Sequence, residues 1–441
     1  MEKYLRLYAE PEAAALEEMP VQGQWANVVV IPACNESPGL LRSPPPCDGR
    51  SLLILVVNES GIASAEVSAS NQALAAAVHS SFELLWEYKP ESDPGFGLCL
   101  LKDSESARDL ILVDRFRESH QLPAKGGVGL ARKIGADLAT WLIHRKHIKS
   151  TWIHCTDGDV YLPETYFGCA NAVQGSSKYA ALVYPFLHCD NPDKAQSNEV
   201  ILATQLYEFS LHYYVAGMKF AGSPYAFHTI GSTMAVNAIH YAKVRGFPRR
   251  EAGEDFYLLN KLAKLGTVLE LDSSPDCEPI EITARRSDRV PFGTGAAVNK
   301  ITTLVDPVRD FRFYHPQVFV LLKLWLEALP EIWQSQSDVL ADSDLSIQHV
   351  LLSGLREIGT EKALGHAFRQ SRDLDQFLKQ MHTWFDAFRT LKLIHHLRDH
   401  QLPSISFEEL LSGKKMVHLL KHERLLPALS KALQSDFLDV R

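Results

Sequence analysis

The sequence predicts an α/β protein: a doubly wound mixed sheet followed by an all-helical C-terminal domain. Three observations carry that expectation. Short β-branched runs, Val28-Val29-Val30-Ile31-Pro32 and Leu52-Leu53-Ile54-Leu55-Val56-Val57, alternate with segments of helical period, the pattern of strands buried on both faces. A further buried run, Trp152-Ile153-His154-Cys155-Thr156, ends at once in Asp157-Gly158-Asp159. Beyond about Phe311 the alternation stops, and Leu374, Phe377, Leu378, Met381, Trp384, Phe385, Phe388 and Leu391 recur at helical spacing.

Taken in order, the run at 28–32 closes on a proline and the run at 52–57 is bounded by Asn58 and Ser60-Gly61. Between them, Ser43-Pro44-Pro45-Pro46-Cys47-Asp48-Gly49 cannot continue a helix and marks an exposed loop. A helix is expected from Asn71 to Tyr88, then a hairpin over 97–114 that turns at Asp103-Ser104-Glu105-Ser106. Gly126-Gly127-Val128-Gly129 precedes an amphipathic helix with Leu130, Ile134, Leu138, Trp141 and Leu142 on its apolar face. The glycines have two readings, a phosphate cradle at a helix N-terminus or a tight turn into a packed helix. Lys125 and Arg132 flank the turn and favour a donor-facing role. After the corner at Asp157 come a helix from about Pro163, a strand at 180–184, a helix from Glu199 to Met218 and a strand at 233–236. A helix from Glu254 to Leu265 is stopped by Gly266.

Composition narrows the class of protein. A chain of 441 residues exceeds what one core fills and points to two domains. With 45 basic against 53 acidic residues and a net charge of −8, nothing favours a nucleic-acid partner. The N-terminus carries acids and no apolar signal-type core, which places the protein in the cytoplasm. Seven scattered cysteines without a C-x-x-C pair read as reduced and mostly buried. The most apolar stretch, 318–326, is interrupted by Lys323 and is too short to span a bilayer, so no transmembrane segment is expected and peripheral membrane contact stays open.

Chemistry concentrates in two acidic pairs. Asp157 and Asp159 stand at the C-terminal end of a buried strand, the edge where open α/β sheets bind ligands. Hard oxygen ligands there suit a divalent cation that also meets phosphate oxygens. Glu254 and Asp255 open a helix, where an acid either caps the first turn or serves as a base. The helix field would lower rather than raise the Asp255 pKa, so the sequence does not show it tuned for proton transfer.

Six elements, VVVIPACNES, LLILVVNES, GVGLARKIGADLA, WIHCTDGDVYLP, GSTMAV and GEDFYLLNKLAKLG, resemble in order and rough spacing the family 2 glycosyltransferases of GT-A fold. The likeness covers roughly residues 26–300. It implies a metal-dependent transfer of sugar from a nucleotide-sugar donor to a hydroxyl acceptor, inverting in stereochemistry, with Asp255 as general base beside Glu254. It implies that Pro32, Asn35 and Glu36 line the nucleotide pocket, and that Asp157 and Asp159 hold Mn²⁺ or Mg²⁺, Asp157 also meeting the donor. Asn58 stands where the family usually has an aspartate for the nucleobase. Gly231 and Ser232 resemble the acceptor-side turn, and Tyr225, Phe227 and Tyr214 could stack on an acceptor. Arg289 lies in a basic segment placed to meet the diphosphate, or simply in a solvated loop. His228 and His315 are candidates for a third metal ligand.

The expected division is an N-terminal arm at 1–25, a catalytic domain at 26–305 and a helical domain at 306–441. The last is a candidate for oligomerisation, acceptor choice or membrane attachment. Its histidines His395, His396, His400, His418 and His422 read either as a partner-facing surface or as a metal site. Two alternatives to glycosyl transfer remain: a phosphohydrolase built on the D-x-D corner, and a noncatalytic sugar-nucleotide or partner-binding protein.

Overall fold

The computed structural model describes residues 1–20, 23–42, 49–104, 106–173, 175–189, 196–287, 293–335 and 346–412. The chain forms two compact units. The first draws on the described residues within 1–194, 229–284 and 289–293, and the second on those within 195–228, 285–288 and 294–441.

Twelve strands are found among the described residues, all in the first unit: β1 (Val28–Ala33), β2 (Ser51–Asn58), β3 (Glu83–Glu87), β4 (Gly97–Lys102), β5 (Arg108–Arg115), β6 (Trp152–Cys155), β7 (Val160–Tyr161), β8 (Tyr179–Val183), β9 (Phe186–Cys189), β10 (Met234–Asn237), β11 (Thr267–Glu270) and β12 (Ile280–Thr283). Nine make a mixed sheet in the order β11-β8-β10-β6-β1-β2-β5-β4-β3, and β7-β12-β9 make a smaller one. The α/β class and the mixed sheet are therefore as the sequence predicts. β1 runs parallel to β2 on one side and β6 on the other, so the loops after β1 and β6 part at a topological switch point, where such sheets open a crevice.

Pro32 sits inside this central strand for a reason of register. The Val30 carbonyl accepts from Thr156 N, so Val30, and two residues on Pro32, face β6. The β1–β6 pairing ends at Val30↔Cys155, so the N–H that proline lacks falls where that ladder stops, while the pairing with β2 runs on to Ala33↔Val57. The helix Gly127–His144 lies on β1 and β2, and a Cβ at Gly135 would collide with Val30. That helix is buried from Gly129 to Ile143, charges included, so each of its charged side chains needs a partner.

For Lys133 and Asp137 the partners come largely from the N-terminal segment. Asp137 Oδ1 accepts from the Tyr4 hydroxyl at 2.5 Å and the Tyr241 hydroxyl at 2.9 Å. Its Oδ2 accepts from Glu10 N at 2.8 Å and Lys133 Nζ at 2.6 Å. Lys133 also donates to the Tyr8 carbonyl, while Arg249 pairs with both carboxylate oxygens of Glu10 at 2.9 Å. Tyr4, Ala13, Ala15, Leu16 and Met19 are buried. The expected arm is thus part of the first unit's packing.

The second unit is helical, as the C-terminal spacing predicts, and also takes in the helix Asn198–Phe220 that the sequence reading assigned to the catalytic region. Phe209, Tyr213, Phe313, Phe319 and Phe407 pack edge to face or stacked in its core. Gly217 lets the Phe319 ring approach to 2.5 Å of where a Cβ would stand. The helix Gln317–Ser335 runs through Pro330, and among the described residues no helix is long and apolar enough to cross a membrane.

Two expectations change. The helix expected to reach Tyr88 stops at Ser81, because Phe82 is extended and β3 pairs with β4 at the sheet edge. The cysteines are not all reduced: Cys169 and Cys277 form a disulfide across 108 residues of sequence, a pairing made by tertiary contact that local spacing cannot reveal. Cys99 and Cys155 remain buried thiols, each pushed up to about 12 by burial. Of the expected proline loop, residues 43–48 lie outside the described residues, as do Arg289, His418 and His422.

The Asp137 network predicts a specific loss. Asp137→Ala takes from buried Lys133 its nearer carboxylate, leaving Glu10 at 3.5 Å, and from the Tyr4 and Tyr241 hydroxyls their acceptor, and chemical denaturation should show about 3–5 kcal/mol less stability. A loss below about 1 kcal/mol, the scale of an exposed pair, would show that the network does not hold the N-terminal segment.

Candidate active site

The crevice after β1 and β6 gathers the acids. β6 ends at Cys155, and Asp157-Gly158-Asp159 turns the chain into β7, fixed by the hydrogen bond from Thr283 N to the Asp159 carbonyl at 3.0 Å. A Cβ at Gly158 would lie 3.0 Å from Glu36 Cγ and 3.1 Å from its Cδ, so the glycine admits the Glu36 carboxyl from the loop after β1. The spacing of the D-G-D corner thus has a steric cause.

Arg132 joins this corner to the second acidic pair. Its Nη2 donates to Asp157 Oδ1 at 2.9 Å, its Nε to Glu254 Oε1 at 3.0 Å and its Nη1 to the Gly231 carbonyl at 2.7 Å. The guanidinium is buried, with 3% of the side chain exposed, and a Cβ at Gly231 would stand 2.7 Å from Nη2. Burial alone would lower its pKa, but Asp157 and Glu254 raise it above the ordinary arginine value, so it stays charged. Arg132, expected from sequence to face a donor, instead gives its hydrogen bonds to Asp157, Glu254 and the Gly231 carbonyl.

Gly253, left-handed at φ 73°, starts the helix Glu254–Leu262. Glu254 is buried against Arg132, whereas Asp255 is half-buried and accepts from Phe256 N at 2.7 Å. The Asp255 pKa is raised from 3.8 to about 7. Burial is the largest cause and the neighbouring Glu254 charge the next, outweighing Arg132 and the Phe256 N–H, which lower it. The helix field expected from sequence is overruled by desolvation and a like charge.

The glycine turn resolves toward packing. Gly129 N donates to the Arg250 carbonyl at 3.0 Å, and a Cβ at Gly129 would lie 2.6 Å from that oxygen. At Gly127 it would lie 2.5 Å from Glu251 Cα. The helix N-terminus is therefore pressed against the 248–251 backbone, which leads into the Asp255 helix. Lys125 is exposed beside it.

A polar cluster lies at the same sheet edge. Asn58, buried, donates from Nδ2 to the Ala33 and Val56 carbonyls at 3.0 and 3.1 Å. Asn71, fully buried, donates to the Asn58 carbonyl and to Glu59 Oε2, and its Oδ1 accepts from Asn35 N. Asn35 is exposed and held at φ 56°, a left-handed conformation that asparagine tolerates. Glu59 also accepts from Ser68 and Gln121, each at 2.9 Å. Asn71 and Glu59 were not among the residues singled out. The signal for Asn71 was present, since it shares the buried stripe of Leu74, Ala75 and Val78 on the helix Ala65–Ser81.

Other expected site residues lie elsewhere. Ser232 is buried in the first unit next to Gly231. Tyr225 belongs to the second unit, where its hydroxyl donates to the His382 carbonyl at 2.8 Å. His228 and His315 are also in that unit, His228 packed on His212 and His315 accepting from Gln317 N. His395 pairs with the Tyr314 hydroxyl, His396 with Glu357, and His400 stacks on His396. Among the described residues, no group of three or more His, Cys, Asp or Glu side chains is disposed to hold a metal ion.

No family profile matches the chain, and no curated protein matches it. Among solved structures, Staphylococcus aureus TarS 1–349 is similar over 80% of this chain and 89% of its own, with 13% identity and a TM-score of 0.34. Its complex with UDP-GlcNAc gives 12% identity and 0.35 over the same shares. The mannosyltransferase PcManGT of Pyrobaculum calidifontis, in complex with GDP-Man and Mn²⁺, matches over 99% of this chain and 94% of its own, with 11% identity and 0.32.

The raised Asp255 pKa predicts a pH-dependent stability. The unfolded chain ionises this carboxyl near 3.8 and the folded chain near 7, so between those values the folded state holds the extra proton and stability falls as pH rises. Asp255→Asn should match the wild-type melting temperature near pH 4 and exceed it at pH 8. An unchanged difference across that range would contradict the assignment.

Proposed function

We propose that the chain transfers a sugar from a nucleotide-sugar donor to a hydroxyl acceptor, with inversion at the anomeric carbon. The observation that carries this reading is the joining of the two acidic pairs. Arg132 ties Asp157 of the corner to Glu254, and so sets Asp255, an adjacent carboxyl with a raised pKa, at a fixed place beside the corner. A phosphohydrolase built on the corner alone gives Glu254 and Asp255 no task.

In this reading Asp157 and Asp159 would hold Mn²⁺ or Mg²⁺, which when bound neutralises charge on the diphosphate leaving group. The Glu36 carboxyl, against Gly158, would lie near a cation held there. Asp255 accepts the proton of the acceptor hydroxyl as its oxygen attacks, for which a pKa near 7 serves: about half of the groups are ionised at neutral pH, and the carboxylate is more basic than an ordinary one. Burial first, and then the charge of the neighbouring Glu254, which Arg132 holds in place, keep Asp255 from ionising too readily. Asn35, at the end of β1, and the Asn71–Glu59 cluster below it form the floor against which a nucleoside would rest. Asn58, with its amide hydrogens given to two carbonyls, shapes that floor. Gly231 and Ser232 stand on the acceptor side.

The test is release of nucleoside diphosphate by the purified full chain, offered a panel of nucleotide sugars with Mn²⁺ or Mg²⁺. Asp159→Ala and Asp255→Asn should each lower turnover by at least about 10²-fold, the scale of a lost general base. Wild-type kcat should rise with pH through about 7. Phosphate release from simple monoesters, without any binding of nucleotide sugars, would replace this reading with the phosphohydrolase. Donor binding without turnover across acceptors would make the protein a binding module.

A further inference from the structure

The first unit has a surface whose charge runs against the rest of the protein. The chain carries −8 overall, yet the stretch 238–265 holds six cations, Lys243, Arg245, Arg249, Arg250, Lys261 and Lys264, against one exposed acid, Glu251. Arg249 is neutralised by Glu10. Lys243, Arg245, Arg250 and Lys261 are exposed, and among the described residues none of these four forms an ion pair. Arg245 instead lies over the Tyr8 ring at 4.7 Å and Arg250 over the Tyr257 ring at 4.0 Å.

These groups share one face. Tyr257 and Lys261 are a helical turn apart, and the Lys261 pKa is lowered by partial burial and then by the nearby charges of Arg245 and Arg250. The helix Ala238–Lys243 lies against the helix Glu2–Leu7, and its His240 Nε2 stands 3.4 Å from the Cβ position of Gly266. Thr267 N donates to the carbonyl of Lys178, a further exposed cation. Within this set are large apolar side chains left in solvent: Leu7 at 53%, Ile239 at 46% and Leu265 at 48% exposure. Like charges gathered with one exposed acid among them make a positive potential that attracts an anionic surface.

We propose that this face, built on Ile239, Lys243, Arg245, Arg250, Lys261 and Leu265, docks the first unit on an anionic lipid bilayer. A soluble polyanion would be met by the cations alone. The exposed leucines and isoleucine interleaved with them suit an interface where apolar side chains enter the acyl boundary while lysine and arginine meet lipid phosphates. The inference is independent of the reaction catalysed, since it uses none of the acids of the crevice.

Co-sedimentation of the full chain with vesicles tests it. Binding is expected to phosphatidylcholine vesicles containing roughly one third phosphatidylglycerol, to fall with added salt and to be absent on pure phosphatidylcholine. Lys243→Glu with Lys261→Glu should weaken partitioning about tenfold or more, and Ile239→Ser with Leu265→Ser should weaken it without altering the salt dependence. The circular dichroism melt of each variant should match the wild type, since all four side chains are exposed. Equal binding by wild type and the charge-reversed variant, or binding to long-chain polyphosphate with none to anionic vesicles, would overturn the proposal.

Discussion

Everything at the crevice depends on one buried cation. Arg132 rises from a helix packed beneath the sheet and reaches the corner after β6, the turn before β10 and the start of the Asp255 helix. A guanidinium directs donors from three separate nitrogens of one rigid plane toward three acceptors, a spread that the single ammonium of a lysine lacks. It can stay charged in a dry place because two carboxylates repay its desolvation. Remove it, and Asp157, Glu254 and Asp255 face one another with no compensating charge.

The glycines express the same constraint in steric form. Gly231 makes room for the guanidinium, Gly158 for the Glu36 carboxyl, and Gly127 and Gly129 for the backbone that leads to Glu254. In each case the missing Cβ brings two segments distant in sequence to contact distance. The polar geometry of the crevice is a product of close backbone packing, much as a cofactor-binding loop would be, but directed inward.

What was legible in the sequence follows from the range of the interactions. The strands at 28–33, 51–58 and 152–155 announce themselves because all their side chains are buried, and the D-G-D corner because it interrupts such a run. The pairing of the two acidic pairs was legible through resemblance, but its physical agent was not. A single arginine in an apolar helix does not say which acids it meets. The raised Asp255 pKa was unreadable for a like reason: the helix field is local, whereas the burial and the surrounding charges are assembled by the fold. Asn58 lies where an aspartate was expected, and only the contacts reveal that its amide hydrogens serve the backbone. The Cys169–Cys277 bond and the docking of residues 1–20 are tertiary in the same sense.

The chain leaves the first unit after β9 and returns to it at residue 229, before β10 is laid between β6 and β8. This has a consequence for the order of events as the polypeptide emerges from a ribosome. The half-sheet of β1 to β6 can pair early, but Arg132 waits 122 residues for Glu254, and Glu10 waits 239 for Arg249. Contacts of such separation form late, because chain closure must come first. Until then β6 has an open edge where β10 will lie, and Lys133 with Asp137 holds the buried charge of the helix in the interim. The acids of the crevice can therefore be assembled only after Glu254 has been made, long after the residues of β1 to β6.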